Sequence, residues 1–271
     1  MRVSPLRPAV GLILAMAIAA GCATESSPAG AAGAPTGEIV VSAASSLTDA
    51  FDEVKAAYER EHTAVTVRMN YGSSSALAVQ VNEGAPVDVF ASADEAQMQV
   101  VVEAGNAQPS VEFASNTLVV AYPADGTALA SFEDIAEPGV RLVVAAETVP
   151  VGNYARAAVR AAGADGRYGP DFESRVIANV RSEEPNVRAV LAKVELGEAD
   201  AAIVYATDVA ATDGRALAVE VPAEFTPPAA YVIAVTELST SPDVAQDFVD
   251  YVTSGDGQAI LAGHGFTPPT S

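Results

Sequence analysis

One cysteine, two histidines and no tryptophan occur in the 271 residues. A lone cysteine excludes an internal disulfide and any cysteine-based metal site. Two histidines, His62 and His264, are too few for a histidine-rich metal centre. Cationic side chains are also scarce, with 14 Lys and Arg against 35 Asp and Glu, for a net charge of −21. Such a chain lacks the basic face that a nucleic acid needs, so nucleic acid is excluded as a partner. A small inorganic anion is not excluded, because backbone N–H dipoles act locally whatever the distant net charge. What is plentiful is apolar: half of the residues are hydrophobic, enough for one large domain or two lobes.

The N-terminus reads as a targeting segment, residues 1–21. Arg2 and Arg7 form a positive start, and Val10 to Ala20 is an apolar run too short for a comfortable transmembrane helix. It ends in Ala19-Ala20-Gly21-Cys22, small residues before the only cysteine. This resembles a bacterial lipobox, in which the cysteine is lipidated and becomes the mature N-terminus; Ala19 stands where Leu is usual. An ordinary secretory signal with an incidental cysteine is the plainer alternative. Residues 22–37 then read as the lipidated Cys22 and a flexible Pro/Gly-containing tether.

The folded part opens on Ile39-Val40-Val41, a strand that passes through Ser42-Ala43-Ala44-Ser45-Ser46 into a helix. Leu47, Ala50, Phe51, Val54, Ala57 and Tyr58 recur with helical period, and Ser46 with Asp49 suggests a capping box. The same unit repeats twice. Val65 to Met69 alternates as a strand before Tyr71-Gly72-Ser73-Ser74-Ser75 and a helix closed by Gly84; Val87 to Ala91 is a strand before a helix started by Ser92 and Glu95. Further strands are expected over 117–122, 141–146, 201–205 and 229–235, with a weak one at 175–180. Helices are expected after Val149-Pro150-Val151-Gly152-Asn153-Tyr154, after a start signal at Ser182 to Asn186, and over 242–253 and 256–262. Strand–helix alternation of this kind argues for an α/β fold with mainly parallel sheets. Each strand-to-helix turn of small residues leaves unpaired N–H groups at a helix start, where an anion can sit without Lys or Arg.

The phrases SAASSLTDAF, YGSSSALAVQVNEGAPVDVFASAD, VPVGNYAR, NVRAVLAKVELGEADAAIVYATD and GHGFTPP follow in this order. With them the chain resembles the molybdate-binding proteins of ABC importers, within the type II periplasmic-binding-protein superfamily, over nearly everything from Glu38 onward. The resemblance implies a two-lobed α/β fold with two hinge crossovers, each lobe a mainly parallel sheet flanked by helices. Lobe 1 would be residues 39–116 plus 229–271, and lobe 2 residues 117–228. It implies an oxyanion held between the lobes by Ser46 and Ser74, by the backbone N–H groups of Val151 and Val187, and by the Tyr205 hydroxyl. Asn153 and Tyr154 would stand behind these. Molybdenum would be present only as the oxyanion, with no direct protein–metal ligand and no cofactor. Tungstate, of nearly the same shape, should bind as well. The implied role is capture outside the cytoplasmic membrane and delivery to an ABC permease by a monomer anchored through Cys22, without bond chemistry.

Each residue also has an ordinary use: Ser46 as a helix cap, Ser74 as a turn residue, Val151 and Val187 as packing, Tyr205 as a core aromatic. Three other functions share the pattern. Sulfate, phosphate or a metal could occupy the same cleft, although Ser, Val and Tyr are poor metal ligands. Gly72 to Ala76 faintly resembles a nucleophile elbow, which would make the chain a serine hydrolase using His62 or His264. An interaction module with an empty cleft is the third.

Overall fold

The computed structural model describes residue 1 and residues 35–269; the targeting segment, Cys22 and most of the tether lie outside the described residues. Two five-stranded sheets organise the described chain. The first is ordered β2-β1-β3-β10-β4, from Val65–Gly72, Gly37–Ala44, Val89–Ser92, Ala229–Val235 and Val111–Asn116. The second is ordered β7-β6-β8-β5-β9, from Val180–Glu184, Leu142–Ala145, Ala201–Tyr205, Leu118–Pro123 and Ala216–Glu220. Helices α1 (Thr48–Glu61), α2 (Ser74–Asn82), α3 (Glu95–Glu103), α8 (Pro242–Thr253) and α9 (Gly255–Gly263) accompany the first sheet. Helices α4 (Pro150–Asp165), α5 (Phe172–Asn179), α6 (Val187–Glu195) and α7 (Ala206–Ala210) accompany the second.

The chain passes from the first sheet to the second through Thr117 alone, between β4 and β5, and returns between β9 and β10. These passages set the strand directions. In the first sheet β1 pairs in parallel with β2 and β3, whereas β10 runs antiparallel to β3 and β4. In the second, β6 pairs in parallel with β7 and β8, whereas β5 runs antiparallel to β8 and β9. Leu118 lies opposite Tyr205, the last residue of β8, so β5 enters its sheet from the carboxyl end of the parallel strands. Strand β10 enters the first sheet from the same kind of end, since Val232 lies opposite Ser92 at the close of β3. The expectation of mainly parallel sheets therefore holds only for the strand–helix–strand units. A strand that crosses from the other sheet must run against them.

Local sequence explains most elements. Ile39, Val41 and Ala43 of β1 are buried, and β1 opens at Gly37 because its N–H bonds the Ala64 carbonyl at 3.0 Å, one residue inside the span read as tether. On α1, Ala50, Phe51, Val54, Ala57 and Tyr58 are buried, while Lys55 and Glu59 pair on the outside at 2.8 Å. Phe51 packs with Phe113 and Phe248 at ring separations of 5.7 and 6.4 Å, and Phe132, Tyr168, Phe172 and Phe225 cluster under the second sheet. Burying each such ring contributes roughly 1.5–3 kcal/mol of transfer free energy.

Three expectations are corrected. The weak strand expected at 175–180 is the second half of α5 up to Asn179, because Phe172, Val176 and Asn179 are buried at helical spacing, and Val180 opens β7. Ser46 caps nothing: it lies inside a 3-10 turn, Ser45–Leu47, with no side-chain cap at that turn or at α1. Ser92 does not start α3; Asp94 does, its carboxylate accepting from Gln97 N–H at 2.9 Å. Asn186, the last residue of the expected start signal, caps α6, and Ser182 belongs to β7.

At the start of α4 the backbone makes its closest approach. A Cβ on Gly152 would lie 2.1 Å from the Ala146 carbonyl oxygen and 2.5 Å from that of Ala145. No side chain fits, so this glycine is what lets the helix start against the end of β6. Gly152→Ala should lower stability by about 1–3 kcal/mol, the cost of overpacking a closed contact. Denaturant titration checks this, and an unchanged midpoint would refute it.

Candidate anion site

The carboxyl ends of the parallel strands of both sheets face one small cavity, the place where open α/β sheets hold their ligands. The cavity, of about 10 Å³, is walled by Ala44, Ser45, Ser46, Gly72, Ser73, Ser74, Ala93, Val149, Pro150, Val151, Val187 and Tyr205. All five residues picked out from the sequence line it, two from the first sheet's turns and three from the second's. None of the lining side chains is charged.

The helix starts supply donors for a simple geometric reason. In the first turn of a helix the N–H groups have no intrahelical acceptor. In α4, Pro150 has no N–H and Asn153 N–H bonds the Val149 carbonyl at 2.9 Å, so Val151 and Gly152 carry the spare donors. In α6 the Asn186 side chain accepts from Ala189 N–H at 3.0 Å, leaving Val187 and Arg188. In α2 the Ser73 hydroxyl accepts from Ala76 N–H at 3.3 Å, leaving Ser74 and Ser75. Partial positive charge at each start adds to the effect.

The hydroxyls are arranged to donate. Ser74 Oγ accepts from Ala93 N–H at 3.0 Å, which leaves its own proton for another acceptor. Ser46 Oγ lies 2.8 Å from Tyr231 Oη. Tyr205 Oη is buried and has no hydrogen-bond partner among the described residues. A buried hydroxyl left unpaired costs about 1–3 kcal/mol, so its place on the cavity wall marks a missing acceptor. Burial pushes the Tyr205 pKa well up, with the neighbouring Tyr231, Tyr154, Asp94 and Asp208 adding to the rise, so the phenol stays protonated. Tyr154, expected behind the site, takes a hydrogen bond from the Ala230 backbone, and burial pushes its pKa up to about 12.

Positive charge stands outside the cavity. Arg188 Nε bonds the Ser45 carbonyl at 3.1 Å and faces Asp208 Oδ1 at 3.7 Å, and its other arm pairs with Asp49. It thereby ties α6 of the second sheet to the Ser45–Leu47 turn of the first. In the sequence Arg188 stands out only as part of the phrase NVRAVLAKVELGEADAAIVYATD. Tyr231 was likewise read as a generic buried strand residue; nothing in AAYVIAV distinguishes a working hydroxyl from a packed one.

The hydrolase reading has no geometric support. His62 stacks on Tyr58 at 4.3 Å and faces Asp247 at 3.6 Å, while His264 bonds Glu53 at 2.8 Å. Neither lines the cavity that holds Ser74. Among the described residues no group of three or more His, Cys, Asp or Glu side chains is placed to hold a metal ion.

Two layered sheets joined by two crossings, with a donor-lined cavity at their strand ends, define the class of type II periplasmic binding proteins. The solved periplasmic molybdate-binding protein of Azotobacter vinelandii has this fold: its TM-score is 0.76 at 19% identity, over 86% of this chain and 100% of that one. The chain belongs to the family of bacterial extracellular solute-binding proteins, which it matches over residues 39–267. It is a binding protein, not an enzyme. It is similar to the molybdate-binding protein ModA of Mycobacterium tuberculosis H37Rv, 36% identical over 96% of this chain and 97% of that one. It is also similar to ModA of Escherichia coli K12, 31% identical over 92% and 96%.

Asp208 gives this region a pH signature. Burial pushes its carboxyl up to about 7, against the lowering effects of Arg188 and of the Tyr205 N–H, which donates to Oδ2 at 3.1 Å. A carboxyl raised above its unfolded pKa, about 4, binds its proton more tightly in the folded chain. Its contribution to stability therefore falls as pH rises from about 4 to about 7. Relative to Asp208→Asn, the wild type should lose stability over that window in denaturant titrations. Parallel pH profiles for the two would refute the assignment.

Proposed function

We propose that this protein captures molybdate in the cavity at the strand ends, takes tungstate by the same contacts, and delivers the ion to an ABC permease. The observation that carries the reading is the buried Tyr205 hydroxyl with no partner among the described residues, on a cavity wall that holds donors and no charged side chain. Ser46, Ser74 and Tyr205 supply hydroxyl donors, and Val151 and Val187 supply backbone N–H groups. A fully deprotonated tetrahedral oxyanion offers only acceptors, so a set made only of donors suits it. Neutral donors also avoid the cost of desolvating a charged side chain beside the ion. The ModA names of two relatives support molybdate over other oxyanions. Hydrogen phosphate carries a proton that finds no acceptor in this set.

The reading includes two lobes, residues 39–116 with 229–271 and residues 117–228, closing about the two passages between the sheets. It includes a lipid anchor at Cys22 that holds a monomer at the outer face of the cytoplasmic membrane. Capture and release then need no bond chemistry and no cofactor.

Calorimetric titration with molybdate, tungstate, sulfate and phosphate tests the ligand. One-to-one binding of the first two with sulfate and phosphate ignored is the expected result. Preference for sulfate or phosphate would replace the ligand, and no binding of any oxyanion would refute the site. Ser46→Ala, Ser74→Ala and Tyr205→Phe should each weaken molybdate binding by about 1–3 kcal/mol, or roughly 5- to 150-fold. Unchanged affinity in all three would remove them from the contact set. Mass spectrometry of the membrane-associated protein should find a diacylglyceryl group on Cys22, and its absence there would refute the anchor.

A further inference from the structure

Arg188 sits in the first turn of α6, next to Val187, and its side chain reaches out of the second sheet's half of the molecule. Its Nε donates to the Ser45 carbonyl at 3.1 Å and its Nη2 pairs with Asp49, both on the turn and helix that follow β1. Among the described residues this is the one ion pair that crosses between the sheets. The hydrogen bond from Asn116 Nδ2 to Thr207 Oγ1, at 2.8 Å, also crosses, but it lies at the passage itself, where the chain already joins the two.

The same guanidinium has a second seat on its own side. Asp208, on α7, is 0% exposed, and its Oδ1 has no hydrogen-bond partner among the described residues. Arg188 Nε faces Oδ1 at 3.7 Å, beyond hydrogen-bond reach, because its single hydrogen is given to Ser45. A buried carboxylate oxygen left unpaired is costly, so Asp208 draws the guanidinium back. The partners across the gap release it at little cost. The Ser45 carbonyl also accepts from Thr48 Oγ1 at 2.7 Å and keeps that bond when Arg188 leaves. The Asp49 side chain is 45% exposed, so water can take the place of Arg188. Arg188 also lines a cavity of about 240 Å³ between α1, α7 and the end of α9, which gives the side chain room to turn.

We infer that Arg188 is a latch with two seats: Asp208 holds it while the sheets stand apart, Asp49 and the Ser45 carbonyl take it when they close on the anion, and the balance between the seats sets how tightly the anion is held. The inference rests on the proposed oxyanion site and on closure about the two passages. It adds no contact to the ion. Only the closed form brings donors from both sheets to the ion, so apparent affinity scales with the ease of closing. Ser45 precedes Ser46 and Arg188 follows Val187, so the latch fastens together the two segments that meet the ion from opposite sides.

The test is molybdate binding by the full chain in detergent, at slightly alkaline pH, where Asp208 is ionised. Calorimetry gives the dissociation constant, and a chase of radiolabelled molybdate gives the release rate. Asp49→Asn should weaken binding about three- to fivefold, mainly through faster release. A simple charge effect has the opposite sign, because this change removes a negative charge near a bound anion. Asp208→Asn should tighten binding about threefold, and in an Arg188→Gln background neither change should move affinity by more than about twofold. If Asp49→Asn tightens binding, or leaves affinity unchanged while lowering the melting temperature, the pair acts through its field or on the fold alone and the latch is overturned. Equal effects with and without the arginine overturn it as well. Should Asp208→Asn fail to fold, the cycle of Asp49 with Arg188 decides by itself. Absence of molybdate binding by the wild type would overturn the site reading, and an unchanged radius of gyration on binding, by small-angle scattering, would overturn closure; either result takes the latch with it.

Discussion

The unpaired N–H groups at helix starts are the constraint on which this structure turns. A backbone that ends a strand and begins a helix must leave donors without partners. Here several such ends meet at one cavity, and each is stopped from satisfying itself by a particular residue. Pro150 removes one N–H, Ser73 and Asn186 take one each through their side chains, and Ser74, Val151 and Val187 at these starts line the cavity. The sheets exist, in this sense, to hold their carboxyl ends together. Their layered cores of Ile, Val, Ala and Phe supply the rigidity that keeps unpaired groups from collapsing onto one another.

Charge is kept one layer back. Arg188 reaches past the cavity to the Ser45 carbonyl, to Asp49 and toward Asp208, so its positive charge joins the two sheets rather than lining the space between them. A guanidinium suits this place because it stays charged and can bond several acceptors in one plane. The buried Asp208 beside it also holds the Tyr205 N–H, so the strand end that presents the phenol and the arginine that ties the sheets share one carboxylate. Lining the cavity and joining the sheets by charge are thus separate tasks for neighbouring residues, Val187 and Arg188.

Much of this was legible in the sequence because periodicity and turn composition are local. The face of α1, the strands 39–44 and 201–205, and the small-residue turns at 44–46, 72–75 and 149–152 could be read directly, and the ordered phrases placed the five cavity residues. What could not be read depends on contacts between distant residues. Ser46 looked like a cap because a serine before a helix usually is one, but its partner is Tyr231, 185 positions away. The cap expected at Ser92 lies two residues on, at Asp94, because the turn conformation is decided by the strand that precedes it. The antiparallel crossings left no local trace, and α5 was missed because its apolar face is short, with only Phe172, Val176 and Asn179 buried.

Gly152 has a further consequence. It is the point where the second sheet's core and the cavity wall adjoin: its backbone rests on the Ala145 and Ala146 carbonyls at the end of β6 while the adjoining Val151 lines the cavity. Every other residue type carries a Cβ, so no substitution there is neutral to both. Serines and even the tyrosine can be exchanged and the cradle retuned, but this corner cannot drift. Lineages descending from this chain can vary the chemistry of the cavity more freely than its shape.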